Sequence, residues 1–127
     1  MKIEHLGIYF ANLEAARAFF ERYFAAVSSA PYHNPRTQFR SYFLTFDGGS
    51  RLEIMSRPAL AAGPDADLHL GQHHFAFSLG SAAAVDSLTA RLAADGFATM
   101  SGPRTTGDGY YESCMRGPEG IFIELTE

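Results

Sequence analysis

A chain of 127 residues with 46% hydrophobic, 13% aromatic and 19% charged residues has the make-up of one ordinary globular domain. Lys plus Arg is 10 against Asp plus Glu 14, a net charge of -4, which leaves no basic footprint for nucleic acid or an anionic membrane. The lone cysteine, Cys114, excludes an intramolecular disulfide framework and a thiolate zinc knuckle, and it fits a reducing cytoplasm.

Residues 2–10 alternate as a half-buried strand does, with Leu6, Ile8 and Phe10 on one face and His5, Gly7 and Tyr9 on the other. The opening MKIEHLGIYF lacks a basic region followed by a long apolar run, and no segment approaches the ~18 unbroken apolar residues of a membrane span, so the chain reads as soluble and untargeted. Asn12 is a helix N-cap candidate. After it, Leu13, Ala16, Phe19, Phe20, Tyr23 and Val27 recur at three- and four-residue steps, an apolar stripe that packs a helix on the sheet. A turn over residues 31–36 precedes strands at 39–46 and 51–56, joined by the hairpin signal Asp47-Gly48-Gly49.

The same order then returns. A slide of about 69 positions places His5 on His74, Leu6 on Phe75, Ile8 on Phe77, Asn12 on Ser81, Ala16 on Val85, Phe19 on Leu88 and Tyr23 on Leu92. A slide of about 71 places Leu52 on Ile123, Glu53 on Glu124 and Ile54 on Leu125. The expected architecture is α+β: two copies of a strand, helix and three strands, residues 1–57 and 72–127, forming a curved mixed sheet. The stretch 58–71, rich in Ala, Gly, Pro and Asp, connects them.

Four chemically capable residues fall at matched positions: His5 and Glu53 in the first half, His74 and Glu124 in the second. Strand alternation points all four away from the helix-covered side. A strand histidine is ordinarily a half-buried residue and a glutamate near a strand end is ordinarily solvated. Placement of both pairs at repeat-related positions outweighs those readings. Two imidazoles and two carboxylates suit one divalent ion per chain, zinc, nickel, cobalt, manganese or iron, with positions left open for water or substrate. Such an ion is expected to be functional rather than structural, because the core suffices to fold the chain. His73 would share a face with Phe75 and Phe77 against the helix, His33 and His69 fall in loops, and Cys114 reads as a small packed hydrophobe.

The motifs His5-Leu6-Gly7-Ile8, Arg51-Leu52-Glu53-Ile54-Met55 and His74-Phe75-Ala76-Phe77, with the closing run Gly117-Pro118-Glu119-Gly120-Ile121-Phe122-Ile123-Glu124-Leu125, resemble the vicinal oxygen chelate superfamily. That is the glyoxalase, bleomycin resistance and extradiol dioxygenase group, and the likeness spans essentially the whole chain. It implies paired βαβββ modules and a homodimer with metal sites between modules. The His, Glu, His, Glu set resembles bacterial glyoxalase I, whereas extradiol dioxygenases and fosfomycin-modifying transferases use two histidines and one glutamate. Glu124 is then the ligand implied to detach and act as base, with Glu53 serving the opposite face. Glyoxalase I has an arginine four residues after its first ligand and an asparagine four after its second, both on glutathione. Here those places hold Tyr9 and Arg57, so the glutathione grip is missing. Arg57 can instead hold a substrate carboxylate or phosphate, or simply be solvated. The segment 105–112, which includes Tyr110, is a substrate-covering loop or a plain hairpin turn.

The leading expectation is a metal-dependent lyase or isomerase of the lactoylglutathione lyase kind, acting by proton transfer on a small α-oxygenated carbonyl compound or its thiol adduct. An Fe(II) ring-opening dioxygenase and a non-catalytic drug- or metabolite-binding resistance protein are the alternatives.

Overall fold

Strand β1 (Leu6–Tyr9) leads into helix α1 (Leu13–Phe24), and β2 (Val27–Ser28), β3 (Tyr32–Asn34), β4 (Phe39–Thr45) and β5 (Arg51–Ser56) follow. The second half runs β6 (His74–Ser78), α2 (Ala82–Ala94), β7 (Thr99–Thr105), β8 (Tyr111–Arg116) and β9 (Phe122–Thr126), with three strands after its helix where the first half has four. The computed structural model describes residues 3–63 and 70–127. His69 and the middle of the expected connecting stretch, residues 64–69, lie outside the described residues.

The expected α+β class is present, with the strands in two mixed sheets. In the first, the order is β1-β5-β4-β2 with β3 also on β4; in the second it is β6-β9-β8-β7. In each, the strand that precedes the helix pairs in parallel with the last strand of its half, and the other pairings are antiparallel. The chain divides into two units, Met1–Gly63 and Pro64–Glu127.

Each helix starts where its cap residue dictates. Asn12 Oδ1 accepts from the Ala15 N–H at 3.0 Å and Ser81 Oγ from the Ala84 N–H at 3.2 Å, satisfying donors that the first turn leaves without partners. Helix α1 buries Leu13, Ala16, Phe19 and Phe20 against Tyr42 and Leu44 of β4 and Leu52 and Ile54 of β5. Helix α2 buries Val85, Thr89 and Leu92 against Met115 of β8 and Ile123 and Leu125 of β9. Each fully buried Leu, Ile, Phe or Met contributes about 1.5–3 kcal/mol relative to exposure, so each half has a core of its own.

Two expectations change. Val27 does not extend the α1 stripe. Ala25 adopts the left-handed conformation that ends the helix, and Val27 starts β2 opposite Thr45 with its side chain exposed. Residues 31–36 are not simply a turn: β3 pairs with β4, the turn falls at 35–38, and His33 lies in a strand opposite Arg40. Of the two readings of segment 105–112, the hairpin turn is present, closed by the Thr106 N–H on the Tyr110 carbonyl at 2.9 Å and the Gly109 N–H on the Thr106 carbonyl at 3.0 Å.

Candidate functional site

Glu53 projects from β5 because the buried set Leu52 and Ile54 takes the helix side, leaving Arg51, Glu53 and Met55 on the opposite face. The tight turn at Gly48 and Gly49, both with positive φ, sets this register, with the Phe46 N–H on the Ser50 carbonyl at 3.2 Å. Across the ladders Glu53 stands between Gly7 of β1 and Phe43 of β4. Glu124 is placed in the same way. Ile123 and Leu125 are buried under α2, and Glu124 stands between Ala76 of β6 and Cys114 of β8. The turn Pro118–Gly120, with Gly120 at φ +84, feeds β9 into this register.

Both histidines sit where the chain enters the strand that runs parallel to the glutamate's strand. His5 Nε2 lies 3.8 Å from Glu53 Oε2, and His74 Nε2 lies 3.1 Å from Glu124 Oε2. The side chains of His5 and His74 are 37% and 38% exposed, and those of the two glutamates 20% and 22%. The carboxylates are thus the more enclosed members of each pair, while the rings stay open to a ligand. The other ring nitrogen is engaged in both cases: Glu4 Oε2 lies 2.5 Å from His5 Nδ1, and His73 Nδ1 lies 2.9 Å from His74 Nδ1.

Each pair offers one imidazole and one carboxylate, donor types that divalent ions take. A carboxylate only accepts hydrogen bonds, so Glu4 requires His5 Nδ1 to carry a proton, which leaves Nε2, facing Glu53, as the nitrogen available to a ligand. Ligand atoms about 2.0–2.2 Å from a common zinc-like ion are roughly 3.0–3.5 Å apart. The second pair has that separation and the first is slightly wider. Among the described residues no group of three or more His, Cys, Asp and Glu side chains gathers at one point; the four expected residues stand as two pairs, one in each half.

Strand alternation does not reach every neighbour of the pairs. His73 was expected against the helix, but it is exposed and its ring stacks on Phe122 at 5.0 Å and 11°, on the face of Glu124. It precedes β6, so the two-residue period does not orient it. Glu4 precedes β1 for the same reason and turns back to His5; its proximity in sequence was the one available signal. The Phe43 and His5 rings meet perpendicular to each other at 5.2 Å, and the Arg51 guanidinium lies over the Phe43 ring at 4.5 Å. Arg116 lies over Phe122 at 4.8 Å. Tyr9 is 45% exposed at the end of β1, opposite Met55 on the face of Glu53. Arg57 is exposed just beyond β5, and Tyr110 is 56% exposed in the β7–β8 hairpin turn.

Solved structures share this architecture over nearly the whole chain. The glyoxalase family protein from Enterococcus faecalis aligns at TM-score 0.81 and 23% identity, covering 99% of this chain and 97% of that one. The trypanothione-dependent glyoxalase I of Leishmania major aligns at TM-score 0.79 and 15% identity, covering 100% and 86%. A mutant of the fosfomycin resistance protein FosX from Listeria monocytogenes, complexed with Mn(II) and 1S,2S-dihydroxypropylphosphonic acid, aligns at TM-score 0.74 and 19% identity, covering 98% and 90%. No curated protein matches the sequence. The sequence profile of the Glyoxalase/Bleomycin resistance protein/Dioxygenase superfamily matches residues 2–125. That match runs through both copies of the repeat, and the chain belongs to this superfamily.

Proposed function

We propose that the chain is a metal-dependent lyase or isomerase of the glyoxalase kind, moving a proton on a small α-oxygenated carbonyl compound or its thiol adduct. The observation that carries the reading is the repeated pair: in each half an imidazole Nε2 faces a partly enclosed carboxylate while its Nδ1 is engaged elsewhere. A set with a single carboxylate is what the dioxygenase alternative would require, and this chain has one in each half.

In this reading His5, Glu53, His74 and Glu124 hold one divalent ion per chain in a homodimer. When bound, the ion supplies Lewis-acid stabilisation of the negative charge that develops on the substrate oxygens. Glu124, the ligand that would detach to act as base, would take the proton from the carbon beside the carbonyl and return it to the neighbouring carbon, and Glu53 would serve the opposite face. The histidines would hold the ion through Nε2 and would not carry the proton. Tyr9, Arg57 and Tyr110 contact the substrate, Arg57 through a carboxylate or phosphate.

The test is metal content, together with a methylglyoxal-plus-glutathione assay and the same assay with other thiols, on wild type and Glu124→Gln. Wild type retains about one divalent ion per chain, and Glu124→Gln loses on the order of 10²–10⁴-fold in turnover. His5→Ala and His74→Ala lose the ion. Protein that takes up no metal after incubation with zinc, nickel and manganese refutes the proposal. Oxygen consumption with catechols, indifferent to Glu53→Gln, would instead identify a dioxygenase. Metal-independent ligand capture that survives Glu124→Ala would identify a binding protein.

A further inference from the structure

The two halves secure their histidines with different chemistry. Behind His5 stands a chain of three side chains: Arg51 Nη2 closes on Glu4 Oε1, and Glu4 Oε2 takes the His5 Nδ1–H at 2.5 Å. Phe43 braces the chain from one side, its ring perpendicular to that of His5 and beneath the Arg51 guanidinium. Behind His74 the equivalent position holds His73, an imidazole stacked flat on Phe122.

We infer that Glu4, held by Arg51, is a positioning residue that locks His5 in the tautomer whose Nε2 lone pair faces Glu53. The inference rests on the reading of His5 as a metal ligand. A carboxylate offers no proton, so its partner nitrogen must donate. A carboxylate behind a ligating imidazole also fixes the ring orientation and raises the basicity of the far nitrogen. His73 Nδ1 can donate or accept, so it does not impose one tautomer on His74. His5 is therefore arranged for a cation before one arrives, and His74 is not. The assignment also explains why an arginine occupies position 51 on the glutamate's face: it holds Glu4, not Glu53, the next outward-facing residue on the same strand. Glu4 is 53% exposed, so its ion pair is screened by solvent and contributes little to folding, and variants at this position keep the fold.

Nitrogen-15 NMR of the metal-free protein, recorded at a pH where the imidazole signals show the neutral ring, reads the tautomer directly. In wild type His5 is the Nδ1–H form. Glu4→Gln preserves it, because the amide oxygen still accepts, whereas Glu4→Ala releases His5 to the tautomer mixture of an unconstrained ring. Zinc titration by calorimetry then shows a loss on the order of 10–100-fold for Glu4→Ala and a smaller one for Glu4→Gln. His73→Ala leaves the His5 tautomer unchanged. An Nδ1–H tautomer that persists in Glu4→Ala overturns the inference. If wild type binds no zinc, the metal reading falls, while the NMR comparison still decides the role of Glu4.

Discussion

Cys114 shows how one position differs from its sequence expectation without changing element. Ser113 and Met115 are fully buried on the helix side of β8, so alternation turns Cys114, which is only half-buried, onto the other face, directly opposite Glu124. Burial raises its thiol pKa, and the negative charges of Glu124 and Glu112 push it further up, with Arg116 opposing. The thiol is therefore protonated at neutral pH and a poor nucleophile. In metal-free protein, iodoacetamide alkylation at pH 8 should be slower than for a free cysteine, and the rate should keep climbing as pH passes the ordinary thiol value of about 8.5. Glu124→Gln removes one of the charges that raise the pKa, so it should speed alkylation. A rate that levels off below pH 8 would contradict this assignment. The four paired residues were legible because each lies in or at the mouth of a regular strand. Glu4 and His73 were not, since both precede a strand, where the two-residue period sets no direction.

Helix α2 is tied to its sheet by a buried polar contact that periodicity does not reveal. The stripe brings Thr89, rather than Leu88, fully inward. Its Oγ1 donates to the Val85 carbonyl at 2.7 Å and meets Ser113 Oγ of β8 at 2.6 Å. Neither hydroxyl has water to fall back on, so Thr89→Val should cost about 1–3 kcal/mol by leaving Ser113 unsatisfied. Ser113→Ala added to it should recover part of that loss, which denaturant unfolding of both singles and the double variant would measure; strictly additive losses would rule out the contact. The outer flanks of the helices carry analogous ties: Tyr42 Oη and Arg40 Nη2 reach Glu14 of α1 at 3.0 and 2.6 Å, and Tyr111 Oη donates to Asp86 of α2 at 2.7 Å. The helix starts followed from their cap residues. The end of α1 did not, because the left-handed residue there is Ala25 rather than a glycine.

For the molecule as a whole, each half buries its own apolar set beneath its own helix, and no ligand group takes part in either core. The proposed ion is accordingly dispensable for folding. Exhaustive chelation should abolish activity while leaving the far-UV circular dichroism spectrum unchanged, and restoring the ion at 100 times its Kd should raise stability by about 2.7 kcal/mol through binding to the folded form alone. Loss of secondary structure on chelation would make the ion structural instead. Among the described residues no helix is long and apolar enough to cross a membrane.

The duplication, the α+β class, the helix caps and the four paired side chains were all determined by one-dimensional regularities: apolar spacing of two or three to four, a cap residue at each helix start, and recurrence at a nearly constant offset. Those regularities survive folding because they are set by local backbone geometry. The partners of each histidine's second nitrogen, the face taken by Cys114 and the hydroxyl pair beneath α2 depended on the folded chain. Each joins residues whose directions are set by where a strand begins or by what a neighbouring strand places opposite, and neither quantity is periodic in sequence.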